Sequence, residues 1–336
     1  MDLEINALDG IEITGAVQLV SSGNQIGLYS GKTDEAVRTE APFYDYETVL
    51  TSVPVGKSKA LAPENITIPQ PLPGAPLWRL ALAGDGVGEI AYTVFGGGWD
   101  ILSVDTLKDG KQNPGYAYEV EETSNPTFIL NSSASPSKQQ FVSALFSGYQ
   151  LGIIGLQEQD GQQVPHVSGI VGTSEAPVST GRVYGDLSSG LPANVNVVYL
   201  TNKNVGPLAP SGAFCGSLFF ASYDVNKDKL STPVALLEGV EFSNFDLAVS
   251  GDTFCILAVT GDGSPLLAVF DNAGRISDSP YVPVGSWSNA GNWVASPTIV
   301  ATPGASVGFS FAFIEMEEKT PSGIYTGTLS SPEVTP

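Results

Sequence analysis

The residue types that carry most enzyme and metal chemistry are scarce in this chain. His166 is its single histidine and lies in GQQVPHVSGIVG, with polar residues and a proline before it and an apolar stretch after. One histidine and two separated cysteines cannot fill a two- or three-histidine zinc site, so no metal is expected. As a general base His166 would need an orienting carboxylate, which spacing alone does not supply. Cys215 and Cys255 sit in the apolar runs AFCGSLFFASY and TFCILAVTG, where buried free thiols are the leading reading and a disulfide the alternative. A reactive thiolate needs an electropositive, partly open setting that such runs do not offer. Asp224-Val225-Asn226-Lys227-Asp228 opens like a calcium loop, but Lys229 stands where the glycine belongs and Ala235 where the bidentate Glu belongs, so it reads as a hairpin turn. The runs Glu119-Val120-Glu121-Glu122 and Glu315-Met316-Glu317-Glu318 read as solvated loop carboxylates before a cation site. The Gly-rich stretches Phe95-Gly96-Gly97-Gly98-Trp99 and Thr260-Gly261-Asp262-Gly263-Ser264 read as turns, because such loops cradle phosphates where they open a helix. No Gly-x-Ser-x-Gly elbow is present. No cofactor is expected, and no catalytic residue can be named.

Charge narrows the partners. Lys+Arg of 14 against Asp+Glu of 35 gives a formal net charge of −21 over 336 residues, which repels nucleic acid and anionic membrane surfaces. Only four arginines occur, Arg38, Arg79, Arg182 and Arg275, so each carries more weight than usual. The N-terminal MDLEINALDGIEI lacks the basic and apolar regions of a leader, and nowhere do 18 apolar residues run together. A cytoplasmic location is expected; a secreted mature form would look the same, with Asn65-Ile66-Thr67 and Asn131-Ser132-Ser133 as glycan acceptors.

The elements that must position any site are strands. A charged fraction of 15% with 38 Gly and 24 Pro suits short strands and tight turns. No stretch of eleven residues keeps a helical apolar period uninterrupted. The strand-like runs recur as triplets: 77–84, 88–95 and 99–107; 127–134, 139–146 and 149–157; 245–251, 253–261 and 265–274; 297–304, 306–316 and 323–331. Poorer copies begin at 15 and at 181. The first strands start at Gly15, Leu77, Thr127, Gly181, Phe245 and Pro297, a blade-sized spacing. A unit of three or four antiparallel strands cannot cover both of its own faces, and radial stacking solves that. The expected fold is therefore all-β, a single β-propeller over 1–336. Six blades are preferred, seven are the alternative count, and a pair of sandwiches is the alternative fold. Residues 1–14 can lend the last blade an outer strand and close the ring, leaving no open edge.

Within that frame PLLAVFDNAGRISDSPYVPVGSW (265–287) and NQIGLYSGKTDEAVRTEAPFY (24–44) resemble blades of the fungal fucose-type lectins, which are six-bladed propellers. The resemblance implies sugar sites built from an Arg, a Glu and stacking aromatic rings. Four arginines and four tryptophans (Trp78, Trp99, Trp287, Trp293) cannot furnish such a site at every blade junction, which leaves room for one. In size, and in lacking metal or nucleotide motifs, the chain is also similar to the cofactor-free propeller enzymes of fungal tropolone-sesquiterpenoid biosynthesis, which direct a hetero-Diels–Alder coupling. That resemblance implies a pericyclase working by positioning alone, with a small apolar or aromatic molecule as partner. The lectin-like reading, carbohydrate binding without catalysis, is the alternative. The oligomeric state is not legible.

In a propeller, the loops that enter each innermost strand and those joining second to third strands share one face around the channel. That selects Trp78 and Arg79 at one inner-strand entry, Trp99 after the triple glycine, Tyr149 in a second turn, Arg182 and Tyr184 at another entry, and Trp293 ahead of Pro297 as candidate substrate-binding residues.

Overall fold

The computed structural model describes residues 2–8, 16–35, 46–56, 59–70, 76–84, 86–96, 99–120, 124–129, 141–146, 150–159, 162–185, 194–201, 208–276, 282–283, 292–305 and 307–330. These build six antiparallel sheets arranged as a β-propeller, with no helix among the described residues. β1 (Asp2–Leu8) is set aside for the end of the chain. Blade 1 runs β2 (Val17–Ser22), β3 (Gln25–Glu35), β4 (Tyr46–Pro54) and β5 (Asn65–Gln70) from the channel outward. Blade 2 runs β6 (Trp78–Gly84), β7 (Val87–Gly96), β8 (Trp99–Lys108) and β9 (Lys111–Val120). Blade 3 is β10 (Ser124–Ile129), β11 (Phe141–Phe146), β12 (Gln150–Gln159) and β13 (Gln162–Val171). Blade 4 is β14 (Val178–Tyr184), β15 (Asn194–Thr201) and β16 (Leu218–Asp224), with β17 (Lys229–Leu230) and β18 (Val234–Leu236) both pairing β16. Blade 5 is β19 (Phe242–Ser250), β20 (Thr253–Thr260), β21 (Pro265–Asp271) and β22 (Val282–Pro283). Blade 6 takes β23 (Asn292–Ala301), β24 (Gly308–Glu317) and β25 (Thr320–Ser330), and β1 completes it as the outermost strand, Asp2 opposite Ser330 and Leu8 opposite Ile324.

Burial explains why middle strands such as β20 and β21 carry long apolar runs, Phe254–Val259 and Pro265–Phe270. Each is covered on both faces by neighbouring blades, so apolar side chains are wanted on either side. In β20, Phe254, Ile256 and Ala258 face blade 4, while Cys255, Leu257 and Val259 face blade 6. In β24, Phe309, Phe311 and Phe313 face blade 5 and Ala312 and Ile314 face blade 1. Aromatic rings bridge these junctions: Phe254 stacks on Phe220 of blade 4 at 5.7 Å and on Phe270 at 5.0 Å. Both cysteines are buried free thiols, and burial pushes that of Cys255 upward.

Sharp turns join the strands. At Gly251, between β19 and β20, φ is +59° with open space around it, a geometry that glycine takes without steric cost. The run Asp224–Asp228 is the turn between β16 and β17, pinned by Asp224 accepting from the Asn226 and Lys227 amides.

Candidate functional site

Among the described residues the innermost strand of each blade pairs with one neighbouring strand, Phe242 at the start of β19 also bridging Gly216, so the rest of its other edge turns N–H and C=O groups toward the channel. A polar side chain from each of four inner strands meets that demand by reaching the next blade. The Gln18 amide bridges Leu80 at both ends, Nε2 donating to its carbonyl and Oε1 accepting from its N–H, each at 2.9 Å. Thr298 Oγ1 accepts from Leu19 N at 2.9 Å. Asp246 Oδ2 accepts from Ile299 N at 3.1 Å. Arg182 Nη2 donates to Phe245 O at 3.2 Å.

Arg79 departs from this pattern. It projects from β6, but its guanidinium crosses the channel and donates through Nη1 and Nη2 to Asp246 Oδ2 (3.3 Å) and Oδ1 (3.0 Å). Arg182 reaches the same carboxylate through Nε at 2.8 Å and spends Nη1 on Thr180 Oγ1 and Gly181 O. With Ile299 N of blade 6 counted, four blades meet at one carboxylate. The Asp246 and Arg182 side chains are 5% and 7% exposed, and that of Arg79 is 18% exposed. Burial disfavours charge on Asp246, yet the two guanidiniums outweigh it and hold its carboxyl below the ordinary aspartate range. Burial and the neighbouring Arg79 charge bring Arg182 down to about 10, so it stays protonated at neutral pH. The trio carries one net positive charge inside a chain of −21.

Two cavities border this cluster. One of about 330 Å³ occupies the channel, walled by β2, β6, β14, β19 and β23. The other, about 230 Å³, opens at the inner-strand entries beside Pro76, Leu77, Trp78, Asn244 and Pro297. Gln18, Arg79 and Arg182 line both. Asp246 is the only carboxylate among the described residues lining either, and β10, the sixth inner strand, is SNPTFI with no ionisable residue. A wider groove of about 760 Å³ lies where Cys215, Ser217 and Glu241 face the Thr260–Ser264 turn. Its ionisable groups are acidic, and Asp262 is tied into its own turn through Thr260 and Ser264. Among the described residues no group of three or more His, Cys, Asp or Glu is placed to hold a metal ion.

Of the seven candidates drawn from the sequence, Trp78, Arg79 and Arg182 meet at the mouth. Trp78 is 8% exposed, with its ring in the apolar cluster between blades 1 and 2, so it forms a wall rather than a free stacking platform. Tyr184 lines the channel cavity but ends β14 instead of entering it, because that strand begins at Val178 and not at Gly181. It packs against Phe254 at 5.7 Å, and burial raises its hydroxyl above the usual tyrosine range. Trp293 stands apart from both cavities. β23 begins at Asn292, the register slips between Ala295 and Thr298, and the indole donates to Glu318 O at 2.7 Å over the β24–β25 turn. Trp99 begins β8 at the same end of the propeller, closing the β7–β8 hairpin opposite Gly96. Tyr149 lies outside the described residues, and His166 is on the outer strand β13, opposite Gly155. Sequence reading passed over Asp246, Gln18 and Thr298. The available signal for Gln18 and Asp246 was a polar residue set inside an apolar run, as in GAVQLV and FDLAVS.

No protein-family model and no curated protein matches the chain. Among solved structures it is similar to the SapL1 lectin in complex with alpha methyl fucoside, at TM-score 0.54 and 11% identity over 96% of this chain and 95% of that one. It is also similar to a protein of unknown function from Dyadobacter fermentans, at 0.53 and 10% over 98% and 99%. A neuraminidase-like protein of A/little yellow-shouldered bat/Guatemala aligns at 0.52 and 9%, over 98% of both chains. Identities this low speak for the fold, a propeller with lectin and neuraminidase-like neighbours.

Proposed function

We propose that the protein is a binding module that takes one small, oxygen-rich molecule of carbohydrate type at the mouth of its central channel, without turnover. The observation that carries this reading is Arg79. Two of its five guanidinium N–H groups are used on Asp246, and three have no partner among the described residues while the side chain borders the mouth. Donors held in place by a buried carboxylate bind a ligand oxygen without first being ordered. Size supports the same reading: about 230 Å³ falls below the roughly 300–1,000 Å³ of sites for drug-sized ligands. The test is calorimetric titration with a panel of monosaccharides and their acids, on the wild type and on Arg79→Gln. Binding that the substitution abolishes supports the site; no binding, or binding that ignores the substitution, rejects it.

The cofactor-independent hetero-Diels–Alder reading is second. Pro76, Leu77 and Pro297 line the mouth together with Arg79, so an N–H donor could polarise a carbonyl held on an apolar wall. Incubation with a generated quinone methide and a terpene olefin would alter rate or stereochemistry if this reading holds. A product mixture unchanged from the uncatalysed one rejects it.

A further inference from the structure

We infer that the ligand of the channel mouth is a monocarboxylate of monosaccharide size, a sugar acid in chemical class, held by Arg79 as its charge partner. This rests on the binding-module reading and adds to it the ligand's charge.

The inference follows from how the channel distributes its charges. In the inner-strand pattern a polar side chain is consumed by the backbone edge of the following blade, as Gln18, Thr298, Asp246 and Arg182 are. Arg79 makes no such bond, although the position after it, Leu80, is clamped by Gln18 like the others. Satisfying Asp246 does not require it, since Arg182 already neutralises that carboxylate in charge and Ile299 N and Arg182 Nε supply hydrogen bonds to both oxygens. Arg79 is therefore the surplus cation of the cluster. It is also the more exposed of the two arginines, and among the described residues no second carboxylate lines the cavity it borders.

A chain with 35 acidic residues that keeps its channel mouth cationic has arranged the reverse of its surface. The exterior charge does not cancel this at contact range. Screening cuts the reach of exposed charges to about 8 Å at physiological ionic strength, whereas a carboxylate on a partly buried guanidinium interacts through short, charge-assisted, two-pronged hydrogen bonds. Arginine's fork matches a planar carboxylate in a way that a hydroxyl cannot. The exposed Asn244 lies on the rim and can serve the ligand's remaining hydroxyls. With each water accounting for roughly 30 Å³, about 230 Å³ holds one sugar ring and little more.

The experiment compares D-glucuronate and D-galacturonate with their methyl esters by calorimetry on the wild type, Arg79→Gln and Arg79→Lys, with melting temperatures recorded for all three. The expected result is an acid that binds about tenfold or more tightly than its ester, lost in Arg79→Gln and partly kept in Arg79→Lys. If ester and acid bind alike and both depend on Arg79, the carboxylate inference is overturned while the binding-module reading stands. If neither binds the wild type, both fall. The acid-against-ester comparison is made on the unsubstituted protein, so it holds even where a variant folds poorly.

Discussion

Replacing Asp246 by Asn removes one charge and little volume at the point where four blades meet. The carboxylate accepts four hydrogen bonds, two from Arg79, one from Arg182 and one from Ile299 N. An amide keeps a single oxygen and turns its own N–H groups toward guanidinium N–H groups, so at least two of the four are lost. More costly is the charge: Arg182, 7% exposed, is left beside Arg79 with no counter-ion. Breaking a buried ion pair from one side costs about 3–5 kcal/mol. An unfolding entropy of about 2.1 cal/mol/K per residue gives roughly 0.7 kcal/mol/K for 336 residues, so the melting temperature should fall by about 4–7 °C. Differential scanning calorimetry at pH 7 measures it. Replacing all three residues with apolar ones (Arg79→Met, Arg182→Met, Asp246→Leu) should recover most of the loss, because no charge is then stranded. Acid supplies a further check. The folded carboxyl titrates below its unfolded value, so its stabilisation is complete at neutral pH and disappears as pH falls through the folded value. Wild type and Asp246→Asn should converge there. A drop of less than 1 °C at pH 7, or a gap that persists in acid, would refute the view that this carboxylate holds the channel together.

Glu89 is buried, its Oε2 has no hydrogen-bond partner, and burial raises its pKa to about 9. It is thus protonated at neutral pH, and its cost grows as pH rises from the ordinary carboxylate value toward 9. Glu89→Gln should stabilise the fold by about 2–4 kcal/mol at pH 7 and by almost nothing at pH 4, as read by urea denaturation at each pH. Phe254→Ala removes the middle ring between Phe220 and Phe270 and should cost about 3–5 kcal/mol in the same assay. A side chain at Gly327 would run into the Glu4 carbonyl and the Phe311 ring. Gly327→Ala should therefore loosen β1, seen as faster amide exchange across Leu3–Leu8 with the other blades unchanged.

The propeller was legible because the strand triplets recur at a blade-sized spacing, and because runs such as TFCILAVTG are almost wholly apolar, as burial on both faces requires. The site was legible in part. Arg79 and Arg182 stood out because arginine is rare, and inner strands were the places to look. Two-dimensional strand reading cannot supply the third partner. An Asp between Phe245 and Leu247 looks like an ordinary exposed carboxylate until ring closure sets it opposite two guanidiniums 167 and 64 residues away in sequence. Trp293 was drawn toward the site by its proximity to Pro297, and the register slip in β23 takes it elsewhere. Tyr184 moved by three residues of strand register, which is enough to carry a side chain from the mouth into the channel.

The pairing of β1 with β25 also bears on how the molecule comes into being. Asp2 cannot find Ser330 until the last blade has been synthesised, and at 5–20 residues per second a ribosome spends roughly 15–65 s between the two. Earlier blades can condense on one another in that interval, but they do so as an open arc whose first and last faces lack their neighbours. The inner-strand bonds between blades 6 and 1 wait for the same event, since Leu19 N meets Thr298 only across the seam. The cationic mouth therefore exists only once the circle is shut, and a ligand bound there would act on a finished ring, biasing it against reopening at its seam.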